Sequence, residues 1–202
     1  MDFYHDLITA KSWDLLKKLS QNYDFILIGG WAVYLYTRAL KSKDIDLVLD
    51  YDGLEKFKKD FEVIKNNRLH KYEVKSEGLD VDIYVPFYSN PGLPAEELKK
   101  YTCSLEGIST IEKEVLAILK GKALLERENT PKGRKDLIDL ISLLRLPEFN
   151  FRRYQMIIKD YKLDQFLVSC RTMIQKTSKI EELDINAHQM ARFKKKILPN
   201  LV

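Results

Sequence analysis

The chain has 202 residues, 45% of them hydrophobic, enough to bury a sizeable core in one or two small domains, and no apolar run reaches the length of a membrane-spanning helix. A net charge of +4, from 34 basic and 30 acidic residues, is too mild to demand an anionic partner or to exclude one. Cys103 and Cys170 have no Cys-x-x-Cys neighbour, which argues against a disulfide framework and against a thiol redox motif.

The amino terminus carries acids among its first residues and lacks the basic-then-apolar pattern of an export signal, so the expected location is the cytoplasm, with no membrane partner. Leu7, Leu15, Leu16 and Leu19 recur with helical spacing over Phe3 to Leu19 and predict an amphipathic helix against a sheet. A short apolar run from Asp24 to Gly29 predicts a buried strand that turns sharply at the glycine. A helix of about three turns is expected over Trp31 to Leu40. Ile45, Leu47 and Leu49 alternate with Asp44, Asp46 and Val48, the period of a strand with one face in the core. Helical spacing returns over Gly53 to Asn66 through Leu54, Phe57, Phe61 and Ile64. Leu69 to Lys75 and Leu79 to Val85 predict two strands joined by the turn signal Ser-Glu-Gly at 76 to 78. The second places Asp80, Asp82 and Tyr84 on one face.

The turn-rich segment from Pro86 to Pro94 interrupts the sheet pattern, and Thr102 to Ile108 predicts a last edge strand. Helices are then expected near 110–126, 133–145, 150–160, 163–177 and 184–197, with Leu146-Pro147 as a break. Strands first and helices afterwards predict an α+β chain: a small mixed β-sheet core with flanking helices over 1–108, and a C-terminal helical bundle over 109–202.

Asp44 and Asp46, two apart on a strand, project from one face within reach of each other. Such a pair is either a solvated sheet edge or part of a cation site. Asp82, or alternatively Asp80, offers a third carboxylate from another strand, and hard oxygen donors of this kind suit Mg²⁺. Gly29-Gly30 leads into a helix whose first amides lack intrahelical partners, so the pair serves either a tight strand-to-helix turn or the close approach of a phosphate. The P-loop and dinucleotide-binding glycine motifs are absent. His5, His70 and His188 lack zinc spacing, and no Gly-x-Ser-x-Gly suggests a serine hydrolase.

Further on, Thr130-Pro131 is a good helix start, yet Lys132, Arg134 and Lys135 crowd it against the helix dipole. Either Asp136 compensates locally, or an external phosphate does. The basic stretch Ala191 to Ile197 reads as a solvated helix end, favourable for the dipole.

Gly29-Gly30, thirteen residues, Asp44-Ile45-Asp46 and the later Asp82 on an apolar strand resemble the nucleotidyltransferase superfamily of the polymerase β type. The likeness spans roughly residues 25–85. It implies a nucleotidyltransferase core in which Gly29 and Gly30 contact the triphosphate, and Asp44, Asp46 and Asp82 are catalytic and bind two Mg²⁺ ions, with Mn²⁺ as a substitute. The spacing Lys120, Arg127, Arg134-Lys135-Asp136, Asp139 is similar to the helical motif of AbiEii-like nucleotidyltransferases, some of them toxins of toxin–antitoxin pairs. It implies nucleotide contacts for Lys120 and Lys135 and supporting roles for Arg134, Asp136 and Asp139. The first motif departs from that group in having Gly-Gly and a longer spacing to Asp44.

The resulting expectation is transfer of an NMP from an NTP such as ATP to a hydroxyl on an RNA (tRNA), a protein or a small molecule, with an antitoxin as partner if the toxin likeness holds. Two alternatives stand beside it: a catalytically silent NTP-binding or toxin-neutralising module of the same fold, and a nucleic-acid-binding protein that uses its basic segments alone.

Overall fold

The computed structural model describes residues 2–76 and 79–201 and divides into two compact units, Met1–Glu112 and Lys113–Val202. In the first, α1 (Asp2–Asn22) buries Leu16 and Leu19 together with Ser12, whose Oγ accepts a 2.9 Å hydrogen bond from the Trp31 indole N–H. Strand β1 (Ile26–Ile28) runs directly into α2 (Gly29–Thr37). Helix α2 buries Gly30, Trp31, Ala32, Val33 and Leu35, so it is apolar on most sides and sits inside the unit. It stops at Arg38, a few residues before the predicted end. Arg38 is left-handed (φ 54°), and its N–H closes onto the Tyr34 carbonyl.

Strand β2 (Ile45–Val48) follows, and Asp50 caps α3 (Tyr51–Asp60) by accepting the Gly53 N–H at 2.7 Å. The helix predicted to reach Asn66 ends at Asp60. Phe61 is extended (φ −134°), and Ile64–Asn66 is a strand, β3, paired with β4 (Lys71–Ser76). Phe61 keeps the helical spacing because it stacks on Phe57 at 4.5 Å from the first residue past the helix. The branched pair Val63-Ile64 then favours strand over helix. Strand β5 (Leu79–Tyr84) completes a hairpin with β4; Glu77 and Gly78 of the anticipated turn lie outside the described residues.

After the proline-rich segment and the short α4 (Ala95–Leu98), the expected single edge strand is instead a hairpin of β6 (Thr102–Leu105) and β7 (Ile108–Ile111). Glu106 and Gly107 link the strands with positive φ of 51° and 80°, the geometry of a two-residue turn that matches strand twist. Of these two strands β6 is the edge, because β7 also pairs in parallel with β1. Among the described residues the strands form one mixed seven-stranded sheet in the order β3-β4-β5-β2-β1-β7-β6. Leu27, Ile45, Leu47 and Ile83 are fully or almost fully buried on its core side.

The second unit contains α5 (Lys113–Glu126), α6 (Pro131–Leu144), α7 (Phe151–Asp160), α8 (Asp164–Lys176) and α9 (Ala187–Ile197), all within a few residues of the expected positions. Thr130 caps α6 by accepting the Gly133 N–H at 3.0 Å, with Pro131 in the first turn where a missing N–H is harmless. Asn150 caps α7, and Asn186 forms a capping box with Gln189 on α9. Burial raises the Cys170 thiol to about 12, so it is an inert core group. Among the described residues no helix is long and apolar enough to cross a membrane.

Candidate active site

The catalytic candidates of the first unit meet because of how three strands are paired. Strand β1 is antiparallel to β2 and puts Ile28 across from Asp46; β2 is parallel to β5 and puts Asp46 across from Asp82. Neighbouring residues in such a row share a face, so both carboxylates project to the side on which α2 begins. Asp80 stands two pairs further along, across from Lys75, and is exposed. Asp44 lies one residue before β2 and is half-buried.

Gly29 opens α2 with φ +70°, the left-handed conformation that side chains resist. A Cβ at this position would overlap Oδ2 of Asp46 and approach its Cβ to 2.8 Å. The glycine therefore serves two needs at once: it makes the turn and it admits the Asp46 carboxylate against the main chain. Ile28, at the N-cap, offers no side-chain acceptor to the first amides of α2. A helix start without a side-chain cap beside a carboxylate pair has the elements of a phosphate-and-cation site.

Sequence reading missed the basic partner of this row. Glu73 of β4 stands across from Asp82, and Lys71, two residues earlier on the same face, sends Nζ to within 2.6 Å of Asp82 Oδ2 and 3.1 Å of Glu73 Oε1. The Tyr84 hydroxyl reaches toward Asp46 Oδ1 at 3.5 Å. The signal was present in hairpin arithmetic: pairing Ser76 with Leu79 sets 73 across from 82. Glu73 lies below the usual carboxylate range: burial opposes the shift, but bonds from Asn66 and Lys71 prevail.

Burial and the nearby charge of Asp46 raise Asp82 from 3.8 to about 6, with Lys71 only partly offsetting them. Below about pH 4 folded and unfolded chains both carry the proton, and the advantage of the folded state is fully present. As pH climbs through 6 that advantage is lost, by up to about 3 kcal/mol. In divalent-free buffer, the wild type is therefore expected to lose stability relative to Asp82→Asn between pH 4 and 6.5, measured as urea midpoints. Parallel pH profiles of the two proteins would refute this.

Among the described residues no three acidic, histidine or cysteine side chains converge closely enough to hold a metal by themselves. Asp46 and Asp82 nonetheless fit Mg²⁺. They are hard oxygen donors, their mutual repulsion calls for a cation, and Mg²⁺ commonly binds one or two carboxylates and completes its shell with substrate phosphates and water.

The remaining candidates lie in the second unit and cluster where α5 packs on α6. Lys120 on α5 is almost fully buried, its Nζ 3.1 Å from Asp136 Oδ1 and 2.7 Å from Asp139 Oδ2 on α6. Arg127 Nε bonds Asp136 Oδ2 at 2.6 Å, and Lys135 approaches Asp139 at 3.9 Å. Neither oxygen of Asp139 has a well-aligned hydrogen bond, so its contact with Lys120 is ionic. Arg134 is exposed and makes a forked pair with Glu182, at 3.0 and 2.8 Å. Asp136 thus meets Lys120 and Arg127, while at the crowded helix start Arg134 pairs with Glu182 and Lys135 approaches Asp139.

With this geometry established, known structures give a frame for it. The fold is similar to that of JHP933 from Helicobacter pylori, at 17% identity and a TM-score of 0.52, covering 98% of this chain and 90% of that one. It is equally similar to a candidate nucleotidyltransferase from H. pylori, at 17% identity and a TM-score of 0.54, covering 98% of this chain and 93% of that one. The chain shares their fold. The likeness runs over nearly the whole length and so takes in the C-terminal helices as well as the sheet. No family model and no curated protein sequence matches the chain.

Proposed function

We propose that the protein is a divalent-cation-dependent nucleotidyltransferase that moves an NMP from an NTP to an acceptor hydroxyl. The observation that carries this reading is the facing pair Asp46–Asp82 beside a glycine-opened helix start. In the transfer, the acceptor oxygen bonds the α-phosphorus, the bond from that phosphorus to the bridging oxygen breaks, and pyrophosphate leaves. The α2 start and Gly29 would seat the phosphates, and Gly30 keeps this helix start free of a side chain. Asp44 and Asp46 would hold Mg²⁺ or Mn²⁺. When bound, such an ion polarises the phosphoryl oxygens and offsets the charge that builds up on them. Asp82 Oδ1 or Oδ2 would take the hydroxyl proton, a role that its raised proton affinity suits. Lys120 would hold α5 against α6 instead of contacting the nucleotide, because its ammonium is buried between two aspartates of α6, whereas Lys135 approaches Asp139 within α6 itself.

The likeness of the Lys120 to Asp139 spacing to AbiEii-like proteins supports a finer reading, in which tRNA or a protein is the acceptor and an antitoxin restrains the enzyme. The test is incubation of purified protein with each labelled NTP, Mg²⁺ or Mn²⁺, and tRNA or a protein extract, beside Asp44→Asn and Asp46→Asn. Label transfer that requires metal and both aspartates is the expected result. Its absence across the panel overturns the enzymatic reading, and saturable Mg²⁺–NTP binding without product identifies a silent module instead.

A further inference from the structure

Lys71 has no part in the scheme above, yet it is set between two carboxylates. Its side chain is 12% exposed, less than that of either acidic partner. It extends from β4 between Glu73 of its own strand and Asp82 of the next, with Nζ at 3.1 and 2.6 Å. A lysine at a half-buried sheet position carries a desolvation cost that is recovered only through close carboxylate contacts, and Lys71 has two.

Glu73, Asp82 and Asp46 occupy successive positions in one row across β4, β5 and β2. Glu73 and Asp82 share the Lys71 ammonium, while Asp44 and Asp46 together carry two negative charges, which a single divalent ion neutralises. A second divalent ion would have to bind next to a fixed positive charge whose nitrogen is already within bonding distance of Asp82. Two cations so close together repel strongly in a partly buried site.

We propose that Lys71 is a built-in counter-ion that takes the place of a second metal, so that the site loads one divalent ion on the Asp46 side while Asp82 stays held by the ammonium. The inference rests on the nucleotidyltransferase reading for the kind of ion, and on the Lys71 geometry for its number. Lys71 is a positioning residue: it fixes the Asp82 carboxylate without touching substrate.

The test is Mn²⁺ binding to the full chain, counted by electron paramagnetic resonance and calorimetry, with and without a non-hydrolysable α,β-methylene NTP. Wild type is expected to bind one ion, lost in Asp46→Asn and kept in Asp82→Asn. Lys71→Met is expected to gain a second ion, at least tenfold tighter than any second binding to wild type, and to lose it again in Lys71→Met/Asp82→Asn. Lys71→Arg, which keeps the charge, should count as wild type, which a purely structural role for the side chain would not produce. Two equivalent ions on wild type overturn the proposal whether or not Lys71→Met folds, and so does a folded Lys71→Met that counts like wild type. One ion on wild type without label transfer in any assay leaves the counter-ion role standing and sinks the enzymatic reading. No Asp46-dependent ion on any variant overturns both.

Discussion

Gly29→Ala is expected to destabilise the protein by about 3 kcal/mol and to lower nucleotidyl transfer roughly a hundredfold. Two costs combine. A left-handed alanine costs about 1–2 kcal/mol, and forcing a methyl into occupied space costs typically 1–3 kcal/mol more. The occupied space is the Asp46 carboxylate, so relief of the clash requires that carboxylate to move. A shift of about 1 Å in a reacting group can cost a hundredfold in rate. Gly107→Ala is the matching control: its φ is +80°, but nothing lies within 4 Å of a Cβ built there. It should show the backbone cost alone, about 1 kcal/mol, and unchanged activity. Urea unfolding and label transfer on both variants separate the two costs, and equal losses in the two would exclude a special role for the Gly29–Asp46 contact.

Lys120→Met is expected to destabilise the helical unit by about 3–5 kcal/mol, the usual consequence of leaving buried charges without their partner. The Asp139 side chain is completely buried, and the Lys120 ammonium is its closest cation at 2.7 Å, Lys135 standing off at 3.9 Å. Asp136 is less dependent on the lysine, because Arg127 also binds it. The damage should therefore concentrate on Asp139, and Lys120→Met/Asp139→Leu should recover most of the loss by removing both charges. Hydrogen exchange in α5 and α6 together with thermal unfolding measures the cycle. A double variant no better than Lys120→Met alone would show that the cluster is not coupled as its geometry indicates.

Much of the candidate site could be read from the residues because it depends on local rules. Alternation placed Asp46 and Asp82 on half-buried strands, the glycine pair marked a turn into a helix, and Thr130-Pro131 announced a helix start that the structure keeps. What escaped reading was set by distant pairing. Ile64 keeps helical spacing with Phe57 and Phe61 yet lies on β3, because β4 offers it a partner. The Glu106-Gly107 turn signal was passed over, so two strands were counted as one. Lys71 reads as an ordinary solvated strand lysine until β5 is laid beside it. Lys120 and Asp139 were expected to contact the nucleotide and to support the site, since only the packing of α5 on α6 reveals that they are taken out of water.

The strand pairing that joins Asp46 to Asp82 also carries a safeguard. Val81 and Ile83 flank Asp82 and are buried, so sliding β5 by one residue along β2 would push both into solvent and bury the aspartate in the core. A molecule with a misaligned site would thus be a misfolded molecule, recognisable by its exposed apolar strand and open to removal. Correct assembly of the chemistry needs no separate checkpoint, because the hydrophobic core already proofreads it.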